Sequence, residues 1–133
     1  MSEQAVSDEG TSFPLQEYLG MELSDVEMGA ATATLLVDDQ HANPNGVVHG
    51  AVLFALVDTA MGKATMSVID NNFYCASVEL SLRFIRPASE GKLTAEATVV
   101  KRGRSIVHLE GRVHDGDDRL IATSSGTFAI LGG

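Results

Sequence analysis

Between His49 and Ile69 the chain carries only two charges, Asp58 and Lys63, among Val52, Leu53, Phe54, Leu56, Val57, Met61 and Met66. These apolar residues fall on nearly every face of a 3.6-residue repeat, so the stretch from Val48 to about Ile69 reads as one long helix wrapped by the rest of the protein. Asn45 marks its start and Asp70-Asn71-Asn72 its end. An acid inside such an element needs a reason, because burial without compensating hydrogen bonds raises its pKa. Just ahead lies His41-Ala42-Asn43-Pro44-Asn45-Gly46-Val47-Val48-His49-Gly50-Ala51. A helix N-terminus presents free N–H groups at the positive end of its dipole, and glycine there lets a ligand approach with no Cβ in the way. The Gly50 N–H is therefore a candidate oxyanion donor and Asp58 a candidate acid or base, the two requirements for attack on a carbonyl.

The elements that must hold these residues follow from local patterning. Phe13 to Gly20 reads as a short helix, with Pro14 at its first position, Leu15 and Leu19 four apart, and Gly20 to stop it. Met21 to Asp38 reads as two strands broken near Met28-Gly29, and Asp38 to Gly46 as turns. After the long helix, Ala76, Val78, Leu80, Leu82 and Phe84 alternate with Ser77, Glu79, Ser81 and Arg83, a half-buried strand ending at Arg86-Pro87. Leu93 to Val99 makes another strand, turning at Arg102-Gly103. Ser105 to Val113 makes a third, and Asp115-Gly116-Asp117 signals a hairpin into the last, Leu120 to Leu131. An antiparallel sheet wrapped around one central helix, an α+β arrangement, is the economical packing. Residues 1–12 read as a flexible acidic tail and 13–133 as a single domain.

Asn43, Gly46, His49-Gly50 and Asp58, at these spacings, resemble the hotdog-fold acyl-CoA thioesterases, the PaaI-like branch related to 4-hydroxybenzoyl-CoA thioesterases. The resemblance covers roughly residues 14–131 and includes the strand Ala76-Ser77-Val78-Glu79-Leu80 and Arg86-Pro87-Ala88. It departs at Ala51, where a second glycine is common; either residue supplies a main-chain amide. The resemblance implies hydrolysis of an acyl-CoA to free acid and CoA without fixing the acyl group: an aromatic or medium-chain one is considered, and with five Phe, two Tyr and no Trp the pocket is expected to be mainly aliphatic and Met side chains. It also implies a homodimer or a dimer of dimers, a homotetramer, with sites at the subunit interface. No cofactor is expected, coenzyme A being part of the substrate.

Helix geometry adds a constraint. Nine positions beyond His49, Asp58 sits about 180° round and roughly 13 Å along the axis, so one chain does not easily bring both to one thioester. A composite site, with Gly50, His49 and Asn43 from one subunit and Asp58 from its partner, resolves this. Asp58 is then expected as general base or nucleophile, and Ser77 as the residue that orients the water. Phe54, Val57, Met61 and Tyr74 stand near Asp58 in sequence or helix spacing and are expected in an acyl pocket, the alternative being ordinary core. Lys101-Arg102-Gly103-Arg104-Ser105 forms a basic turn, read as a clasp for the nucleotide phosphates of CoA or as a solvated hairpin, with Arg83 and Arg86 as further candidates.

Each residue also has a plainer reading. Asp58 can pair with Lys63 or a threonine, His49 can cap the helix and fix the loop through Asn43, Asn43 can be turn chemistry, and Ser77 a strand residue. Nothing near Cys75 in sequence lowers its pKa, and His41, His108 and His114 lack metal-site spacing, so neither a thiolate nor a metal is expected. The rival activities are a hotdog dehydratase or hydratase, whose His and acid pattern fits poorly, and a non-catalytic acyl-CoA-binding regulator. The latter needs a DNA-binding helix pair, for which the short tail leaves no place.

The whole-chain numbers agree. The 133 residues carry a net charge of −9, with ten acids and no base in residues 1–62 and eight acids with all nine bases beyond. Such a chain is a poor binder of nucleic acid or anionic membrane, yet its basic half can hold one small polyanion. No apolar run reaches the roughly 18 residues of a membrane span. With one cysteine and no basic, apolar leader after Met1-Ser2-Glu3-Gln4, a cytoplasmic protein is expected.

Overall fold

The computed structural model describes residues 12–133; the tail expected over residues 1–12 lies, apart from Ser12, outside them. Helix α1 (Pro14–Leu19) has proline in its first turn and ends at Gly20, whose φ of 75° is the left-handed cap that suits glycine. Strands β1 (Glu22–Glu27) and β2 (Ala30–Leu36) meet through Met28-Gly29. A 3-10 turn (Asp39–His41) leads to helix α2 (Gly50–Met66). Strands β3 (Phe73–Phe84), β4 (Lys92–Arg102), β5 (Ile106–His114) and β6 (Leu120–Gly132) complete the chain. All six strands pair antiparallel in the order β1-β2-β4-β5-β6-β3, with α2 packed on one face, which is the hotdog arrangement.

The face toward α2 is built from small residues, including Ala31, Ala33, Ala95, Ala97 and Ala122, so the helix lies close to the sheet. The tightest approach is at Met61. A Cβ on Gly126 would stand 2.6 Å from its Sδ, and one on Gly111 would stand 3.3 Å from its Cε. Met61 is fully buried, as is Val57. This corrects the acyl-pocket assignment of Met61: its side chain fills the space that two strand glycines leave open, where burial stabilises the fold by about 1.5–3 kcal/mol.

Period two does not run unbroken along β3. Ser77 pairs with Phe128 and Glu79 with Thr127, so Val78 is an extra residue, a bulge. Before it, Phe73 and Cys75 turn inward; after it, Leu80 and Leu82 do. Ala76 and Val78, expected on the same buried face as Leu80, are exposed instead. The bulge also turns Ser77 toward α2, where it hydrogen-bonds Asp58.

Both ends of α2 differ from the expected markers. His49 is the N-cap, its Nδ1 accepting the Ala51 N–H at 2.9 Å, in place of Asn45. At the other end Ser67 replaces Asp70-Asn71-Asn72: its Oγ donates to Ala64 O at 2.6 Å and accepts the Gly29 N–H at 2.8 Å. Nor is α2 covered all round. Val52, Leu53, Leu56, Val57, Ala60, Met61 and Ala64 are buried, whereas Ala51 and Phe54 are exposed and Ala55, Asp58, Gly62 and Met66 half-buried. One sheet covers one flank of a helix, and a second apolar flank stays open.

Candidate active site

The expected residues lie in two separate cavities. The first, about 510 Å³, is lined by Asp58, Thr59, Gly62, Lys63 and Met66 of α2 and by Tyr74, Cys75, Ala76 and Ser77 of β3, with Phe13 and Leu15 from the α1 region, Leu23, Ala55 and Phe128. The second, about 410 Å³, is lined by Asn43, Val47, Val48, Gly50 and Leu53, with Phe84, Ile85, Arg86, Pro87 and Ala88 opposite. Asp58, Ser77 and Tyr74 are thus brought together, and Gly50 and Asn43 are brought together elsewhere.

In the first cavity burial pushes the Asp58 carboxyl above its ordinary value, and the Ser77 hydrogen bond partly offsets this. Cys75 stands in the same cavity; burial first, and then the Asp58 charge, push its thiol up, so it stays protonated and is a poor nucleophile.

In the second cavity the loop before α2 is tied down by Asn43. Its Oδ1 accepts the N–H of Asn45 at 2.9 Å and of Val47 at 3.2 Å, and its N–H donates to Val47 O at 2.7 Å. Gly46 turns the loop at a φ of 82°. His49 N–H donates to His41 O at 2.8 Å, Ala51 N–H to His49 Nδ1, and Val52 N–H to His49 O. Among the described residues the Gly50 N–H has no acceptor, so a polarising donor is left at the mouth of the helix. A Cβ at position 50 would meet Phe84 Cζ at 3.1 Å, so that the half-exposed ring would have to give by a few tenths of an ångström. His49 itself is exposed and spends its Nδ1 on the cap.

The remaining candidates disperse. Phe54, 37% exposed, stacks edge-on against Phe84 with ring centroids 6.1 Å apart, on the Gly50 side rather than around Asp58. Arg83 lies on the edge strand opposite Thr123. Arg102 donates through Nε to Val68 O and through Nη1 to Gly103 O, which places the basic hairpin just beyond the C-terminal end of α2. Gly103 is needed there, since a Cβ would lie 2.8 Å from Ile106 O; Arg104 and Ser105 are exposed. Of the arginines only Arg86 lines the Gly50 cavity.

Sequence patterning missed Phe13 and Leu15 as walls of the Asp58 cavity, Phe84 as the ring over Gly50, and His41 as an anchor. Only His41 left a trace, in the Asp38-x-x-His41 spacing of a capping box, which the structure forms. Among the described residues no cluster of His, Cys, Asp and Glu could hold a metal, and no helix is long and apolar enough to cross a membrane.

Known proteins with the same elements include thioesterases. The chain is 28% identical over 116 residues to the 1,4-dihydroxy-2-naphthoyl-CoA hydrolase of Listeria monocytogenes, covering 87% of this chain and 94% of that one. A thioesterase crystal structure from Haemophilus influenzae superposes with a TM-score of 0.88 at 26% identity, over 94% of this chain and 87% of that one. A conserved protein from Pseudomonas aeruginosa superposes equally well at 30% identity, over 94% and 99%. The thioesterase superfamily profile matches residues 45–122, which run from the loop ahead of Gly50 through Asp58 and Ser77 into β6. With the helix-end amide and the half-buried acid both inside that match, the chain belongs to the thioesterase superfamily and is a thioester hydrolase.

Proposed function

We propose that the chain hydrolyses an acyl-CoA to the free acid and CoA, in composite sites of a homodimer or a dimer of dimers. The observation that carries this is the separation of the two halves: one chain presents Asp58 and Ser77 in one cavity and the unpartnered Gly50 amide in another. Two chains related by a two-fold axis present each half to the other's complement. The open edge of β3 and the uncovered flank of α2, which carries Asp58, are the surfaces such a pairing would cover.

In this reading the thioester carbonyl accepts the Gly50 N–H, which stabilises the negative charge that develops on oxygen. Asp58, ionised and half-buried, takes the proton of an attacking water that Ser77 helps orient, and returns it to the departing CoA sulfur. Direct attack by the Asp58 carboxylate, forming an anhydride that water then opens, uses the same groups. The basic hairpin at Arg102 and Arg104 stands beyond the C-terminal end of α2 and Arg86 at the Gly50 end, both suited to phosphates of CoA. The aromatic rings of Phe13, Tyr74 and Phe128 in the Asp58 cavity favour an aromatic or medium-chain acyl group, as does the name of the Listeria relative. A cytoplasmic setting, where CoA esters and reduced Cys75 coexist, fits this chemistry.

Free thiol release from a panel of short, long and aromatic acyl-CoAs tests the reading. The wild-type chain should turn over at least one, and Asp58→Ala should lose 100-fold or more of kcat. No turnover of any acyl-CoA, or an Asp58→Ala variant as active as wild type, overturns it.

A further inference from the structure

We propose that His41 is a positioning residue for the reaction: one buried imidazole fixes the approach to Gly50 through the Asp38 turn and fixes the α1 wall of the Asp58 cavity through Leu19. This rests on the composite-site reading above.

His41 is 1% exposed, one of two fully buried polar side chains among the described residues. Its Nδ1 accepts the Asp38 N–H at 2.8 Å, and its Nε2 lies 2.7 Å from Leu19 O. A carbonyl only accepts, so the proton sits on Nε2 and the ring is the neutral Nε2–H tautomer. The main chain of the same residue adds a third tie, its C=O accepting the His49 N–H at 2.8 Å. Each tie leads to one half of the chemistry. The Asp38 bond closes the capping box of the 3-10 turn, and the His49 bond holds the N-cap next to Gly50. The Leu19 bond holds the C-terminal end of α1, the helix that carries Leu15, with Phe13 at its N-cap, to the Asp58 cavity. A buried phenyl ring of similar volume would fill the space and satisfy none of the ring's bonds, so packing alone does not account for a histidine here.

The two ring bonds can be cut separately. The Oδ1 of asparagine takes the place of Nδ1, so His41→Asn keeps the Asp38 bond and loses the Leu19 bond. The Nε2 of glutamine takes the place of the ring Nε2, so His41→Gln keeps the Leu19 bond and loses the Asp38 bond. Kinetics on the full chain, well below each variant's melting temperature, should split. His41→Gln should lower kcat tenfold or more with KM within about twofold, because the oxyanion donor is displaced only at the chemical step. His41→Asn should keep kcat within about threefold and raise KM severalfold for the longest accepted acyl-CoA, because the α1 wall is loosened. Amide exchange at His49 should quicken in His41→Gln and not in His41→Asn.

If both variants melt earlier but keep wild-type kcat and KM, with His49 exchange unchanged, His41 is only structural and the proposal falls. If the wild type releases no thiol from any acyl-CoA, the acyl-CoA reading is what fails. The His49 exchange then decides the linkage alone, and equal exchange in the two variants overturns it.

Discussion

In the proposed reaction Asp58 is useful because it is costly. Held half-buried, it has a pKa raised by desolvation, and the Ser77 hydroxyl partly pulls it back. A carboxylate with a raised pKa is a stronger base once ionised, so activity should fall as pH drops through a value above that of an ordinary aspartate. Removing the Ser77 hydrogen bond should push that acid limb higher still; a kcat/KM profile of Ser77→Ala against wild type measures it, and a limb that stays put or moves down contradicts the pairing. The same shift has a stability sign. Because the folded pKa lies above the unfolded one, the native state is penalised above the folded pKa, and the penalty disappears as pH falls below the unfolded value. Asp58→Asn should therefore melt slightly higher than wild type near neutral pH, with the gap closing in acid, a trade of stability for function readable by calorimetry at two pH values.

At the scale of elements, two devices set the site. The Val78 bulge switches which residues of β3 face inward, so that Ser77 meets Asp58 while Leu80 and Leu82 still reach the core. Strict alternation would put Ser77 and Leu80 on opposite faces. The second device is the seat of α2 on Gly111 and Gly126, where Met61 fills the space. Replacing Gly126 by valine should be among the most destabilising single changes, by roughly 2–4 kcal/mol through overpacking against Met61 and Leu80. Met61→Ala should cost a comparable 2–5 kcal/mol by opening a cavity. Denaturant midpoints of the two variants check this, and a Gly126→Val chain as stable as wild type would mean that the helix is not seated so tightly.

The whole molecule is asymmetric in a way that a single chain leaves unresolved. The half-sites sit in different cavities, and the charges divide likewise: the base-free first 62 residues supply Gly50 and Asp58, and every candidate phosphate ligand comes later. Complementation tests the sharing between subunits. Gly50→Pro removes the amide proton at a first helical position, where His49 is already extended at ψ 138° and tolerates a following proline. Refolded one-to-one with Asp58→Ala, about half the dimers are mixed, and each mixed dimer holds one intact site of two. Activity should return to about a quarter of wild type from two inactive parents. No recovery in verified mixed dimers excludes a site shared between chains.

Local order was legible in the chain. Pro14 and Gly20 bound a helix, Met28-Gly29 and Asp115-Gly116-Asp117 are turns, the apolar run around Asp58 is one helix, and the loop-to-helix motif with its later acid carries the family. These depend on φ/ψ preference and short spacing, which a sequence states directly. Bulge position, the depth of Met61, the ring of Phe84 over Gly50 and the reach of His41 from Asp38 to Leu19 were decided only by the tertiary structure. Each depends on which residues distant in the chain come to lie side by side. A period-two pattern reads the same with or without one extra residue, and a methionine on an apolar helix is pocket or core according to whether glycine or a larger residue faces it.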